Sequence, residues 1–177
     1  PGALQVSFTA PASDGGSVIL SYTATSTPGS LTGVGPASPV VVPGLTGGQV
    51  YTFQVSATNA VGTGALSAAS GGVMAQDVPG APTAFADATV PLSGTIDLGW
   101  GAPVSTGGAP IAQYTVMCID TTLGFPIPPF VTAGTTASLN AGNGVVGGNA
   151  YSCQVAAENT AFPGLTGAPA GPVNPAP

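Results

Sequence analysis

The clearest pattern in the chain is a stretch of period two that occurs twice. Tyr51-Thr-Phe-Gln-Val-Ser-Ala-Thr-Asn59 and Tyr151-Ser-Cys-Gln-Val-Ala-Ala-Glu-Asn159 place an apolar or small residue at every second position, with a polar residue between most of them. Side chains alternate between the two faces of a strand, so this spacing predicts a strand with one face buried and one face wet. The pairs Gly47-Gly48 and Gly147-Gly148 precede the two stretches and allow a sharp turn into each. Shorter runs in the first half predict further strands at Leu4–Phe8, at Ile19–Thr25 around Tyr22, and at Pro39–Val42, with a weak last strand near Ala65–Met74. Between them lie the turn signals Ala10–Gly16, Pro28-Gly29, Pro43-Gly44 and Gly62-Thr63-Gly64.

The second half repeats this order. Ile96-Asp-Leu98-Gly-Trp100 comes 92 positions after Leu4-Gln-Val6-Ser-Phe8, Ala102-Pro103 to Gly107-Gly108 matches Ala10-Pro11 to Gly15-Gly16, and Tyr114 matches Tyr22. Tyr151 comes 100 positions after Tyr51. The extra residues fall in Thr121–Phe130, a Pro-rich excursion expected at the surface, where insertions cost little. Gln76–Pro82 is the join. The pattern predicts an all-β chain of two domains, residues 1–77 and 78–177.

Composition sharpens this. With 28 Gly and 19 Pro in 177 residues, the turns of a many-stranded protein are well supplied. A hydrophobic fraction of 44% together with the alternation argues against disorder. There is no Lys, Arg or His, and the six carboxylates leave a net charge of −6. Phosphate neutralisation needs cations, so nucleic-acid partners are excluded, as are polyanions and acidic membrane surfaces. Ser–His and Ser–Lys pairs and a cationic oxyanion clamp are excluded too. A carboxylate pair is the remaining catalytic option. Asp14 falls in a loop, Asp77 in the linker, Asp97 and Glu158 at outward positions, and Asp87 and Asp120 near strand ends, so no catalytic residue is assigned. The Gly-rich stretches lack a P-loop Lys, no acidic calcium loop is present, and two Cys without His do not make a metal site. No cofactor is expected. No window reaches about 18 uninterrupted apolar residues, so no membrane insertion is expected. The chain opens with Pro1 rather than Met and carries no signal peptide, which reads as a processed or trimmed product.

Three motifs in the same order in both halves resemble fibronectin type III domains, in wording closest to those of bacterial secreted and surface proteins. They are the strand holding Phe8 or Trp100, then Ala-Pro-x-Ser-x-Gly-Gly-x-x-Ile before a strand centred on Tyr22 or Tyr114, then Tyr-x-Phe/Cys-x-Val-x-Ala-x-Asn. The resemblance implies two tandem immunoglobulin-like β-sandwiches of seven strands in two sheets. The alternation places Phe8, Trp100, Tyr22 and Tyr114 on inward faces, and with Tyr51 and Tyr151 they are the expected core anchors. Tyr51 and Tyr151 take the place of the tyrosine-corner residue, whose hydroxyl bonds back to the backbone. In such a sandwich the third and sixth strands are antiparallel neighbours. Pairing Val116 with Val155 then sets Cys118 opposite Cys153, and a disulfide is expected there, with two buried free thiols as the alternative. A disulfide favours an oxidising compartment, outside the cell or at its surface.

One departure from the family pattern stands out. Pro82–Val90 would form the first strand, strand A, of the second domain, but only Pro1, Gly2 and Ala3 precede the corresponding point in the first. The first sandwich is therefore expected to lack its own strand A. At the other end Gly171, Pro172, Val173 and Asn174, followed by Pro-Ala-Pro177, resemble Asp77-Val-Pro-Gly-Ala-Pro82. Either the chain is a window of a longer tandem array, or a strand passes between copies, with these two terminal segments as the inter-subunit strand region.

Monomeric β-proteins defend exposed strand edges with charge, especially Lys. Here the outward strand positions carry Ser, Thr, Gln and Ala. The expectation is a non-catalytic subunit or repeat of an extracellular filament or surface assembly, with copies of itself as partner and O-glycan left open. The competing expectation is a spacer or a carbohydrate- or adhesion-binding module of a larger secreted protein or polysaccharide-degrading enzyme. The fold does not choose between them.

Overall fold

Alternation becomes pairing in the structure, a computed structural model that describes residues 2–86, 94–163 and 165–173. Pro1, Asp87 and Asn174, named above, lie outside the described residues. The chain divides into two compact units, Pro1–Asp77 and Val78–Pro177.

In the first unit β1 (Leu4–Val6), β2 (Ile19–Thr27), β3 (Thr32–Gly35), β4 (Val40–Val42), β5 (Val50–Asn59) and β6 (Val73–Met74) form two sheets. One is the antiparallel pair β1–β4, with Leu4 opposite Val42 and Val6 opposite Val40. The other runs β3–β2–β5–β6, with Tyr22 opposite Ala57 and Ala24 opposite Val55. Their inner faces meet in one core containing Val6, Val40 and Val42 from the first sheet and Tyr22, Ala24, Tyr51 and Phe53 from the second. The first run stops at Val6 rather than Phe8. Beyond it the Phe8 N–H donates to Ser38 Oγ at 3.0 Å instead of to a neighbouring strand.

The expected last strand is regular only at Val73–Met74. Ahead of it, serine hydroxyls stand in for the ladder. Ser67 N–H donates to Val55 O while Ser67 Oγ accepts from Val55 N–H, and Ser70 repeats both bonds with Phe53. The serines are three residues apart where their partners are two apart, so a regular ladder cannot form, yet the N–H and C=O groups of Phe53 and Val55 are all paired.

The second unit holds β7 (Thr83–Ala86), β8 (Ile96–Gly101), β9 (Ile111–Asp120), β10 (Phe125–Pro126), β11 (Phe130–Thr132), β12 (Thr136–Leu139), β13 (Tyr151–Asn159) and β14 (Ala170–Val173). A single turn of 3-10 helix at Ala141–Asn143 is capped by the Asn140 side chain. One sheet runs β12–β8–β7, the other β10–β9–β13–β14 with β11 also on β9. Their shared core contains Ile96, Leu98, Trp100 and Leu139 facing Tyr114, Val116, Tyr151 and Val155. Part of the Pro-rich excursion is not a free loop. Asp120 O accepts from Gly124 N–H at 2.8 Å, which folds Phe125 and Pro126 back against β9 as a hairpin.

Candidate assembly surface

The polar groups that sequence reasoning could have raised as a reactive site are spread out and structurally employed. Among the described residues no three of His, Cys, Asp and Glu come together in a way that could hold a metal ion. Asp14 Oδ1 accepts from Gly16 N–H in its own loop, and Asp97 Oδ1 accepts from Ser138 Oγ at 2.6 Å across β8 and β12. Glu158, expected at an outward position, is instead covered. It is 8% exposed, and its Oε2 accepts from Gln113 Nε2 at 3.0 Å on the adjacent strand. Asp120 is buried at the end of β9. Burial works against its ionisation. Hydrogen bonds from the Asn149 side chain, the Leu123 and Thr122 N–H groups and the Tyr151 hydroxyl outweigh that and hold its carboxyl below the usual carboxylate range. Burial, and less strongly the nearby Asp120 charge, push the Tyr151 hydroxyl above its ordinary value, and burial does the same to Tyr114.

The repeated strand carries the framework of each unit. Tyr51 Oη accepts from Thr46 N–H at 3.0 Å, and Tyr151 Oη accepts from Val146 N–H at 2.7 Å, each spanning five residues. The Asn that ends each strand has a role the alternation alone does not reveal. Asn59 Nδ2 donates to Asp14 O and Ser17 O, while its Oδ1 accepts from Val61 and Gly62 N–H. Asn159 likewise donates to Thr106 O and accepts from Phe162 N–H. Each pins the Ala-Pro…Gly-Gly loop to the strand end, and the only sequence signal is that both stretches finish in Asn. Cys153 faces Cys118 in the β13–β9 register, and the two are joined as a disulfide with Cα atoms 4.1 Å apart.

The two units differ along one edge. In the second unit Val78–Ala86 closes the gap between the sheets. β7 pairs with β8 and lies beside β14, Gly80 N–H donates to Ser105 O at 2.9 Å, and Pro79 and Pro82 are buried. Under this cover Trp100 is 6% exposed, Val155 and Ala157 are fully buried, and Pro103 is buried. In the first unit β1 pairs only with β4, and no strand borders its other side among the described residues. The counterparts Phe8, Val55 and Ala57 are only partly buried against their core, and Pro11 is exposed. Phe8 still stacks on Tyr22, with ring centroids 4.8 Å apart, but it is a wall of a groove rather than a sealed core residue. Two adjoining concavities, of about 630 and 230 Å³, share Pro11, Ala57 and Ala65 and make this groove continuous.

The terminal segments are partly engaged inside their own units. Gly2 is buried. Its N–H donates to Gln76 O and its carbonyl accepts from Leu45 N–H, while Ala3 is exposed. Gly171, Pro172 and Val173 belong to β14, paired with β13 of the same unit through Val155–Ala170 and Cys153–Val173.

No protein-family model matches the chain. Among solved structures it is similar to the chicken CNTN1 FN1-FN3 domains, at 17% identity with a TM-score of 0.50, over 98% of this chain and 61% of that one. It is also similar to domains A168-A170 of titin, at 20% identity with a TM-score of 0.48, over 97% of this chain and 56% of that one. The chain thus spans less than two thirds of either structure, and the likeness concerns the fold. The fold is all-β, two tandem fibronectin type III-like sandwiches, the first without a strand A among the described residues.

Proposed function

We propose that the protein is a non-catalytic structural subunit or repeat of an extracellular filament or surface assembly, of the kind found on bacteria, built from copies of itself. The observation that carries this reading is the complete absence of Lys, Arg and His on a β-protein with unguarded strands. Leu20 and Val34 on the first unit, and Met117, Ile119 and Phe125 on the second, are exposed strand residues with no cation beside them. Such surfaces favour contact with another copy, since nothing charged must be desolvated to bury them. Six carboxylates at physiological salt, where charges farther apart than about 8 Å are screened, oppose that contact only weakly. The buried disulfide supports a location outside the reducing cytosol.

Electron microscopy of native material together with sedimentation velocity of the purified chain tests this. Ordered polymers are expected, and their formation should strengthen with salt, because a homopolymer of this chain has no side-chain ion pairs to screen. A monomer stable to dilution and indifferent to salt would refute the reading and leave the protein a spacer or binding module within a larger chain.

A further inference from the structure

We propose that the proline ridge of the second unit, residues 125–130, is a docking surface for a different protein, one whose groove is lined by Trp and Tyr side chains and rimmed by Lys or Arg. The proposal is independent of the self-assembly reading, because it concerns a surface that copies of this chain are not equipped to read.

The segment Phe125-Pro-Ile-Pro-Pro-Phe130 is held at both ends and raised in the middle. β10 places Pro126 opposite Ile119, and β11 places Phe130 opposite Val116, so both flanks lie on the one strand β9. Between them Ile127 N–H donates to Cys118 O at 3.0 Å, and the Ile127 side chain is buried in the core. Pro126, Pro128 and Pro129 are left exposed, beside a Phe125 that is 68% exposed. A proline fixes its own φ and keeps the residue before it extended, so Phe125, Ile127 and Pro128 are confined to the extended or polyproline region. Pro126 and Pro129 thus have the Pro-x-x-Pro spacing that aromatic grooves take up. The two anchored flanks mean that little further freedom is lost on docking.

Beside the ridge runs a cleft of about 650 Å³, between the prolines and the outer face of β9 and β13. Met117 and Ile119 form its floor, with Gln154 and Ser152 directly opposite them in register. No carboxylate lines it. Proline rings, a thioether and an isoleucine side chain give an aromatic ring apolar contact, and sulfur adds its own preference for a ring edge. Gln154 and Ser152 are the polar groups available to fix orientation. The occupant's chemistry follows from what this chain lacks. Trp100 and all four tyrosines are at most 8% exposed, so a second copy has no Trp or Tyr to lay against the ridge. With a net charge of −6 and no cation in the sequence, the chain attracts a basic rim and repels an acidic one.

Isothermal titration calorimetry of the full chain against three purified proline-reading domains tests this. The probes are an SH3, a WW and an EVH1 domain, each chosen with Lys or Arg beside its aromatic groove. At least one should bind, with an affinity that falls as salt is raised. Pro128→Ala with Pro129→Ala loosens the ridge, and Met117→Ser with Ile119→Ser strips the cleft floor. Both pairs change exposed residues only, so circular dichroism and melting temperature should match wild type. Each pair should weaken binding at least about 5-fold. The proposal is overturned if none of the three domains binds wild type, or if binding is undiminished in both variants. It is also overturned if the variants alter self-association while no domain binds, since the prolines would then guard a sheet edge or seat a second copy.

Discussion

Replacing Cys118 and Cys153 together by alanine should unlink the second unit without touching the first. The bridge closes a loop of 35 residues. In the chain-entropy account, cross-linking a loop of that length removes enough freedom from the unfolded chain to stabilise the native state by about 4 kcal/mol at room temperature. For a unit of about 100 residues, each kcal/mol shifts the melting temperature by about 4–8 °C, so the second unit should melt roughly 15–30 °C lower. Differential scanning calorimetry reads this directly, with the cysteine-free first unit as internal control. Both half-cystines are sealed, at 2% and 0% exposure, so reductant added to the native wild type should act only as fast as the unit opens. A second-unit transition that stays within a few degrees of wild type in the variant would refute the reasoning. Two reactive thiols in denatured, unreduced wild type would do the same.

Gly167→Ala should destabilise the second unit by about 1–3 kcal/mol, since its Cβ meets the Pro79 carbonyl, whereas Gly64→Ala should be near neutral; urea melts of both variants check the contrast. Tyr151→Phe should cost about 1–3 kcal/mol, because it leaves the Val146 N–H without its acceptor beside the buried Asp120, and chemical denaturation measures it. Asp120 sets an acid dependence. Its folded pKa lies below the unfolded value of about 3.9, so its contribution is complete above that value and is lost as pH falls through the folded one. Asp120→Asn should flatten the fall in second-unit melting temperature between about pH 5 and pH 2, and an unchanged acid slope would remove Asp120 from the explanation.

Much of the strand framework could be read along the chain because a period of two is local. Tyr51–Asn59 and Tyr151–Asn159 announce which side chains face inward, and the second appearance of Ala-Pro…Gly-Gly before a Tyr-centred strand announces the domain repeat. The position of Cys153 relative to Val155 follows from the same alternation, once the neighbouring strand is taken as antiparallel. What each strand face meets is a different kind of information. Glu158 occupies an outward register position, yet it is covered because Gln113 and the segment at Thr166 come against it from elsewhere in the chain. Ser67 and Ser70 look like loop residues until their hydroxyls are found completing the edge of β5. Phe125 and Pro126 look like an insertion until Gly124 turns them back onto β9.

The paired edges show the division most clearly. Sequence alone determined that Phe8 matches Trp100 and Val55 matches Val155. Only the tertiary structure decided that Phe8 and Val55 stay partly exposed where Trp100 and Val155 are sealed, and that Gly167 lies beneath the backbone of Pro79. Alternation is written into each strand by the geometry of its own backbone. Burial depends on the segment that arrives to cover it, and that segment is distant in sequence.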